Sequence, residues 1–267
     1  MDKIYRSSEG LISYKDQGEG DVIVLLHGYL ESSEIFRSFA SILAVNFRVI
    51  TVDIPGHGKS EILREVHSME FVASVVNELI TSLNVGSIFL TGHSLSGYIA
   101  LAFAELYPEK LNGYCLFHSH PFADSPEALS KRQREIMLVR AGKKDLMYAD
   151  NVSRMYADKN LKKFSKSLER SKTIASAISG EAIIAILRGM MERPSRVNVM
   201  EKGIVPCLWI LGAMDNYINC GTMQNKIVLP ANAHLVILKE SGHMGFIEEE
   251  ERSAEVIREF IDSCRTK

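Results

Sequence analysis

The chain alternates short apolar runs with longer segments whose apolar residues recur at helical spacing. Continuous apolar runs predict strands that are buried on both faces, as in a parallel sheet. Residues 22–26 form such a run, and further strands are predicted at 47–52, before the turn that begins at Gly92, and at 114–117, 206–211 and 233–238. Helical patterns cover roughly residues 33–45, 68–84 and 95–107, between the first four of these strands. The alternation predicts an α/β fold with right-handed crossovers and a doubly wound, mostly parallel sheet flanked by helices.

Two segments depart from this alternation. Short strands at 4–7 and 11–16, separated by Ser8-Glu9-Gly10, predict an N-terminal hairpin and hence an antiparallel edge. Residues 124–194 contain no good strand pattern and are rich in charged, helix-forming stretches. We therefore predict an α/β core from residues 1–123 and 195–267, with a helical cap inserted at 124–194. A peripheral helical decoration is the alternative.

The most informative motif in the sequence is Gly92-His93-Ser94-Leu95-Ser96-Gly97, which follows an apolar strand and precedes a helical pattern. A serine at a sharp strand-to-helix turn has its Oγ exposed, and the N–H groups of the new helix point at any anion formed there. Ser94 is thus a candidate nucleophile, although a serine that caps the helix gives the same short pattern. The usual second glycine is replaced by Ser96, whose side chain is expected to crowd the turn.

Three segments together resemble the α/β-hydrolase fold family. They are His27-Gly28-Tyr29, the stretch Asp53-Ile54-Pro55-Gly56-His57-Gly58-Lys59-Ser60, and the turn around Ser94. Their order and approximate spacing are those of the family, and the resemblance covers nearly the whole chain. It implies that an acid and then a histidine follow the serine along the chain.

The family's acid and histidine positions correspond to Asp215 and His243. Asp215 follows the strand at 206–211, and His243 follows the strand at 233–238. Strand carboxyl ends in a parallel sheet open on one crevice, so Ser94, Asp215 and His243 are expected to meet there. Read alone, Asp215 could instead cap a helix and His243 could be a polar turn residue. Asp124 is the rival acid, because some members of the family place the carboxylate after the earlier strand.

The composition limits the partners of the protein. A formal net charge of −2, from 31 basic and 33 acidic residues, gives no field that favours nucleic acid or an acidic membrane. The sequence contains no long apolar span, and its first residues lack the apolar core of a signal peptide, which predicts a cytoplasmic protein. A small-molecule substrate is expected, with no nucleic acid or membrane partner, and a homodimer is left open.

No cofactor or metal is predicted. The four cysteines, at 115, 207, 220 and 264, have no Cys-x-x-Cys spacing, and the two at 115 and 207 fall inside predicted buried strands. His118 and His120 stand two residues apart and could bind a metal, but no third ligand follows at a suitable spacing. We expect both histidines to line the substrate pocket instead.

The resemblance implies acyl transfer to water through an acyl-enzyme on Ser94. His243 would accept the serine proton, Asp215 would orient the imidazole, and the backbone N–H groups of Tyr29 and Leu95 would bind the oxyanion. The predicted substrate is a small carboxylic ester, or a thioester, lactone or amide. Alternatives are a C–C bond hydrolase or cofactor-free perhydrolase with the same residues, and a hydrolase-like protein that binds a ligand without turnover.

Overall fold

Eight strands form one sheet in the computed structural model, which describes residues 1–265 and all of their side chains except those of 147–150. In chain order the strands are β1 (Lys3–Arg6), β2 (Leu11–Gln17), β3 (Val22–Leu26), β4 (Arg48–Val52), β5 (Ile88–His93), β6 (Leu111–Phe117), β7 (Cys207–Gly212) and β8 (Ala233–Leu238). Their order in the sheet is β1-β2-β4-β3-β5-β6-β7-β8.

The sheet is parallel from β4 to β8 and antiparallel at one edge. β1 and β2 form the predicted hairpin, with Lys3 opposite Tyr14, and β2 runs antiparallel to β4. All other neighbouring strands are parallel. Every residue of β5 and β7 is buried, which explains why these central strands are mainly apolar and do not alternate apolar with polar residues.

Eleven α-helices lie within the described residues. They are α1 (Arg37–Leu43), α2 (Met69–Ser82), α3 (Leu95–Leu106), α4 (Pro126–Arg140), α5 (Asp145–Ser153), α6 (Ser165–Ala177), α7 (Gly180–Glu192), α8 (Val197–Lys202), α9 (Cys220–Gln224), α10 (Gly245–Glu248) and α11 (Glu250–Arg265). Within the core, α1 packs against α11, and α2 packs against α3. The predicted α/β fold with a mostly parallel sheet flanked by helices is confirmed.

Local sequence explains where the first helices begin. The hydroxyl of Ser68 accepts a hydrogen bond from the N–H of Phe71 and caps α2. Ser32 makes no such bond, and the N–H of Ser33 donates to the carboxylate of Asp53 at 2.8 Å instead. The helix predicted over residues 33–45 accordingly starts as a 3-10 turn and becomes α1 only at Arg37.

The described part of residues 124–194 is helical, as predicted, and contains α4 to α7 without a strand. The residues that flank this segment lie next to each other, since the N–H of Arg196 donates to the carbonyl of Pro121 at 2.7 Å. Beside this bond, the Arg193 guanidinium lies 2.8 Å from the carboxylate of Asp124. The division of the chain into a core and a separate cap domain stays a prediction.

Within the described residues, no helix is by itself both long and apolar enough to cross a membrane. One pair of helices, α6 and α7, passes a test of length and composition when joined, but the chain bends by 95° between them.

Candidate active site

Three strand ends bring the candidate residues together. Ser94 directly follows β5, Asp215 lies just beyond β7, and His243 lies beyond β8. These strands are parallel, and β6 alone separates β5 from β7 in the sheet, so their carboxyl ends share one edge. The side chains of Ser94, Asp215 and His243 meet at that edge.

Ser94 has an unusual backbone conformation, with φ +50° and ψ −113°. Non-glycine residues seldom adopt positive φ, and such strain is common at functional sites. The N–H of Ser94 donates to the carbonyl of Phe117 in the neighbouring strand at 2.9 Å, which holds the turn in place. The serine side chain makes no capping bond to α3 and points instead toward His243.

A chain of two hydrogen bonds links the three residues. Ser94 Oγ lies 2.7 Å from His243 Nε2, and His243 Nδ1 lies 2.7 Å from Asp215 Oδ2. The other carboxylate oxygen of Asp215 accepts from the N–H groups of Tyr217 at 2.7 Å and Ile218 at 3.0 Å. These bonds fix the carboxylate, which in turn selects the imidazole tautomer with the proton on Nδ1 and leaves Nε2 able to accept a proton from Ser94.

The electrostatics of the site favour a charged histidine next to a charged carboxylate. Burial alone would lower the pKa of His243, but the charge of Asp215 and its hydrogen bond outweigh burial and raise the pKa above its usual value. Burial alone would raise the pKa of Asp215, yet His243, His118 and the Tyr217 N–H lower it. An imidazolium formed at His243 would therefore be stabilised where it lies.

The turn is crowded at Gly92 and Gly97 rather than at position 96. A Cβ at Gly92 would lie 2.1 Å from the carbonyl oxygen of Ser96, and one at Gly97 would lie 2.2 Å from Oγ of Ser119. Ser96 is fully buried without such a clash, and its hydroxyl donates to the carbonyl of His27. The expectation that the Ser96 side chain crowds the turn is wrong, because the contact that excludes a side chain is the one between Gly97 and Ser119, one residue later.

The two predicted oxyanion residues, Tyr29 and Leu95, line the cavity together with Ser94. Leu95 begins α3, so its N–H has no acceptor inside the helix and belongs to the positive end of the helix dipole. Tyr29 lies on the loop after β3, and Tyr29, Leu95 and Ser94 line the same cavity. The sequence-predicted oxyanion residues are thus adjacent to the candidate nucleophile.

Asp124, the rival acid, is engaged elsewhere. Its carboxylate binds Arg132 through two contacts, at 2.6 and 3.2 Å, and Arg193 at 2.8 Å. Asp215 alone of the two acids hydrogen-bonds to His243. The structure therefore brings Asp215, and not Asp124, together with Ser94 and His243.

The two histidines expected in the pocket have different positions. His120 lines the cavity, with Nε2 3.3 Å from the hydroxyl of Tyr98, and its pKa is lowered to about 4 mainly by burial. His118, in contrast to the prediction, does not line the cavity: it is fully buried beside Asp215, and its backbone has φ +48°. Its Nε2 accepts from the N–H of Gly245 at 3.1 Å, which leaves Nδ1 facing Asp215 Oδ2 at 3.7 Å.

No group of three or more His, Cys, Asp or Glu side chains among the described residues has an arrangement suited to a metal ion. Cys115 and Cys207 lie in β6 and β7 as predicted, both buried and with free thiols.

Sequence reasoning missed two buried acids that support the site. Glu31 Oε2 accepts from the N–H of Gly28 at 2.6 Å and lies 2.9 Å from His93 Nδ1. Glu248 accepts from the N–H groups of Gly242 and Ala157, both at 2.8 Å, and so ties the His243 loop to the segment that follows α5. Each of these two glutamates is followed by other polar residues in the sequence, so the local sequence does not indicate that its side chain is buried.

The candidate residues open into a cavity of about 230 Å³. Its floor is formed by residues of the core, and its other side by residues of the 124–194 segment. From that segment, α4 contributes polar side chains, and Met155 and Met190 contribute apolar surface. The cavity admits a small molecule next to Ser94 and His243.

Comparison with known proteins agrees with this geometry. A sequence model described as alpha/beta hydrolase fold matches residues 21–134. A thermophilic esterase from Thermogutta terrifontis is 26% identical, with a TM-score of 0.90 over 99% of both chains. The enol-lactonase from Burkholderia xenovorans LB400, 19% identical, shares the fold with a TM-score of 0.88 over 97% of this chain and 100% of that one. These matches confirm the predicted resemblance, and the chain has the α/β-hydrolase fold.

Similarity to a curated relative also extends over most of the sequence. The pimeloyl-[acyl-carrier protein] methyl ester esterase of Xanthomonas oryzae pv. oryzae is 26% identical over 255 residues, which cover 92% of this chain and 97% of the relative. The two esterases among these proteins support an enzyme with hydrolase activity.

Proposed function

We propose that the protein is a serine hydrolase that cleaves small carboxylic esters through an acyl-enzyme on Ser94. The observation that carries this proposal is the continuous hydrogen-bond chain from Ser94 Oγ through His243 to Asp215, with both links at 2.7 Å. A nucleophile, a base and an orienting acid in this arrangement are the requirements of nucleophilic acyl transfer.

In the first step, Ser94 Oγ attacks the ester carbonyl while His243 Nε2 accepts the hydroxyl proton. Asp215 stabilises the resulting imidazolium, and the N–H groups of Leu95 and Tyr29 donate to the oxyanion of the tetrahedral intermediate. His243 then gives its proton to the departing alcohol. Water, activated by the same histidine, hydrolyses the acyl-enzyme and restores the free serine.

The segment 124–194 is proposed to act as a cap over the cavity and to select the substrate. Support comes from the residues that it places on the cavity wall, including Met155, Met190 and the inner face of α4. Met137, by contrast, is 60% exposed, and the side chain of Met147 lies outside the described residues. The proposed reaction needs a small-molecule substrate and water, and no step requires a cofactor.

The test combines a covalent probe with ester hydrolysis. An active-site-directed fluorophosphonate is expected to label the protein once per chain, and short-chain p-nitrophenyl esters should be hydrolysed. Ser94→Ala should abolish labelling and lower kcat by about 10⁵–10⁶-fold, as removal of the nucleophile does in a serine protease. Circular dichroism and thermal unfolding confirm that the variant is folded.

Ser41→Ala is the matched control, because Ser41 lies on the exposed face of α1. Among the described residues its hydroxyl donates only to the carbonyl of Arg37. It should leave labelling and hydrolysis unchanged. Labelling that survives in folded Ser94→Ala would overturn the assignment of the nucleophile. Labelling without turnover of any ester would instead favour a ligand-binding protein or another reaction at the same serine.

A further inference from the structure

The inner face of α4 brings three charged side chains and one alanine to the cavity. Ala128, Lys131, Arg132 and Glu135 all line it, at the spacing that places residues on one side of a helix. Two of these four residues are cations. A cavity next to a candidate nucleophile needs no cation for ester hydrolysis, so the proposed reaction does not account for them.

Arg132 is held rigidly in the cavity wall. Its Nε and Nη2 bind the carboxylate of Asp124, and the arginine side chain retains 18% exposure. Nη1 makes no hydrogen bond to any described residue and remains available to a ligand. Because the ion pair already fixes the guanidinium, a ligand that binds Nη1 loses little entropy in ordering it.

The charges around Arg132 do not cancel. Asp124 is shared between Arg132 and Arg193, so these three groups carry one net positive charge. Lys131 makes no ion pair with the described residues, and its ammonium lies 5.3 Å from the ring centroid of Tyr217. Glu135 could neutralise Lys131, but burial raises the pKa of its carboxyl and so weakens that counter-charge. This part of the wall therefore carries net positive charge and favours an anionic group on a ligand.

The cations lie close to the candidate triad. The Tyr217 ring that contacts Lys131 has its centroid 5.3 Å from that of the His243 imidazole. One aromatic ring thus separates the ammonium from the base. A short aliphatic chain is sufficient to span from a carbonyl at Ser94 to an anion at Lys131 and Arg132.

We propose that Lys131 and Arg132 form a subsite for a carboxylate on the substrate, so that the preferred substrates are small esters with one free carboxylate. This inference rests on the proposed esterase function and adds the substrate class. A carboxylate complements the net positive charge of the wall and is small enough for the cavity, and it can accept hydrogen bonds from Nη1 and Nζ together.

The experiment compares each anionic ester with a neutral isostere in which a carboxamide replaces the carboxylate. Monomethyl adipate carries the carboxylate in the acyl part, and 4-acetoxybutanoate carries it in the alcohol part. The wild-type kcat/KM is expected to favour the anionic member of at least one pair by about tenfold or more, which also identifies the side of the ester that faces α4. Raising the ionic strength from about 0.05 to about 0.5 M should reduce this preference.

Variants test the two cations directly. Lys131→Gln and Arg132→Gln should each lower the anionic-to-neutral ratio of kcat/KM by about tenfold, whereas Lys131→Arg should retain it. Arg134→Gln removes the same charge from the exposed side of the same helix, outside the cavity, and should leave the ratio unchanged. A wild-type ratio near one, or an equal fall with Arg134→Gln, would overturn the subsite.

A binding measurement separates this inference from the proposed function. Calorimetry with Ser94→Ala should show tighter binding of monomethyl adipate or of 4-acetoxybutanoate than of its carboxamide, and adding Lys131→Gln should remove the difference. Absence of hydrolysis in the wild type with this binding pattern intact would contradict the esterase function alone. Hydrolysis of neutral esters without any carboxylate preference in binding or turnover would contradict the subsite alone.

Discussion

Glu31 and His93 form a buried pair that links the loop carrying Tyr29 to the backbone of His243. Glu31 Oε2 lies 2.9 Å from His93 Nδ1, and His93 Nε2 lies 2.9 Å from the carbonyl oxygen of His243. A carbonyl only accepts, so Nε2 carries a proton. Although burial opposes it, His93 and the Gly28 N–H lower the pKa of Glu31, which favours an ionised carboxylate that accepts from His93 Nδ1.

Breaking this pair should destabilise the protein. Glu31→Gln removes the buried carboxylate that His93 contacts, and His93→Gln leaves the buried carboxylate of Glu31 without this partner. Each single variant is expected to lose about 3 kcal/mol of unfolding free energy, whereas the double variant should lose less than the sum. Urea denaturation of the four proteins in the cycle gives the coupling free energy.

The exposed pair Glu169–Lys172, at 2.7 Å, serves as the control cycle, where a coupling below about 1 kcal/mol is expected. Equal coupling in the two cycles would show that Glu31 and His93 contribute no more than a surface ion pair.

The two candidate acids should differ sharply in their effect on turnover. Asp215→Asn keeps the size of the side chain but favours the wrong imidazole tautomer, and it should lower kcat by about 10⁴-fold, as the equivalent change does in another serine-histidine-aspartate triad. Asp124→Asn should change kcat for a neutral ester far less, because Asp124 binds Arg132 and Arg193. Steady-state kinetics with a p-nitrophenyl ester measure both effects. A larger loss from Asp124→Asn would transfer the role of acid to that residue.

The pH dependence of hydrolysis follows from the raised pKa of His243. The base accepts a proton only in its neutral form, so kcat/KM should fall as the pH drops through this pKa. The midpoint of the acid limb is expected above 6.5, the ordinary histidine value. Asp215→Asn removes the main group that raises the pKa, and the midpoint should move to lower pH. A midpoint at or below 6.5 in the wild type would contradict the proposed role of Asp215.

Position 96 offers a test of the turn itself. Ser96→Ala removes the hydrogen bond to the buried carbonyl of His27 and should cost about 1–2 kcal/mol of unfolding free energy. Gly97→Ala should cost more, since its new Cβ would approach Ser119 to 2.3 Å or less. Thermal and urea denaturation rank the two variants. If Ser96→Ala proved as stable as the wild type, the hydrogen bond would contribute nothing to the fold.

The strands, the hairpin and the three strand-end residues could be predicted because each depends on local sequence. Continuous apolar runs identify the parallel strands, and parallel strands place Ser94, Asp215 and His243 at one edge. Asp215 could be preferred to Asp124 only through the family resemblance, since both acids follow a predicted strand.

The rest of the site depends on contacts between distant segments. Glu31 meets His93 across 62 positions of the chain, and His118 meets Gly245 across 127. His118 was expected in the pocket because it follows β6, but its ring is fully buried beside Asp215. The hydrophobic pattern does not indicate on which side of a strand end a polar residue will lie.

The hydrogen bond between Pro121 and Arg196 closes the base of the whole 124–194 segment. Recombination at these two positions would exchange, as one block, the segment that contributes Met155, Met190 and the residues of α4 to the cavity wall. Ser94, Asp215 and His243 all lie outside the exchanged block. Such an exchange would alter the proposed substrate-selecting surface and leave the proposed catalytic residues unchanged.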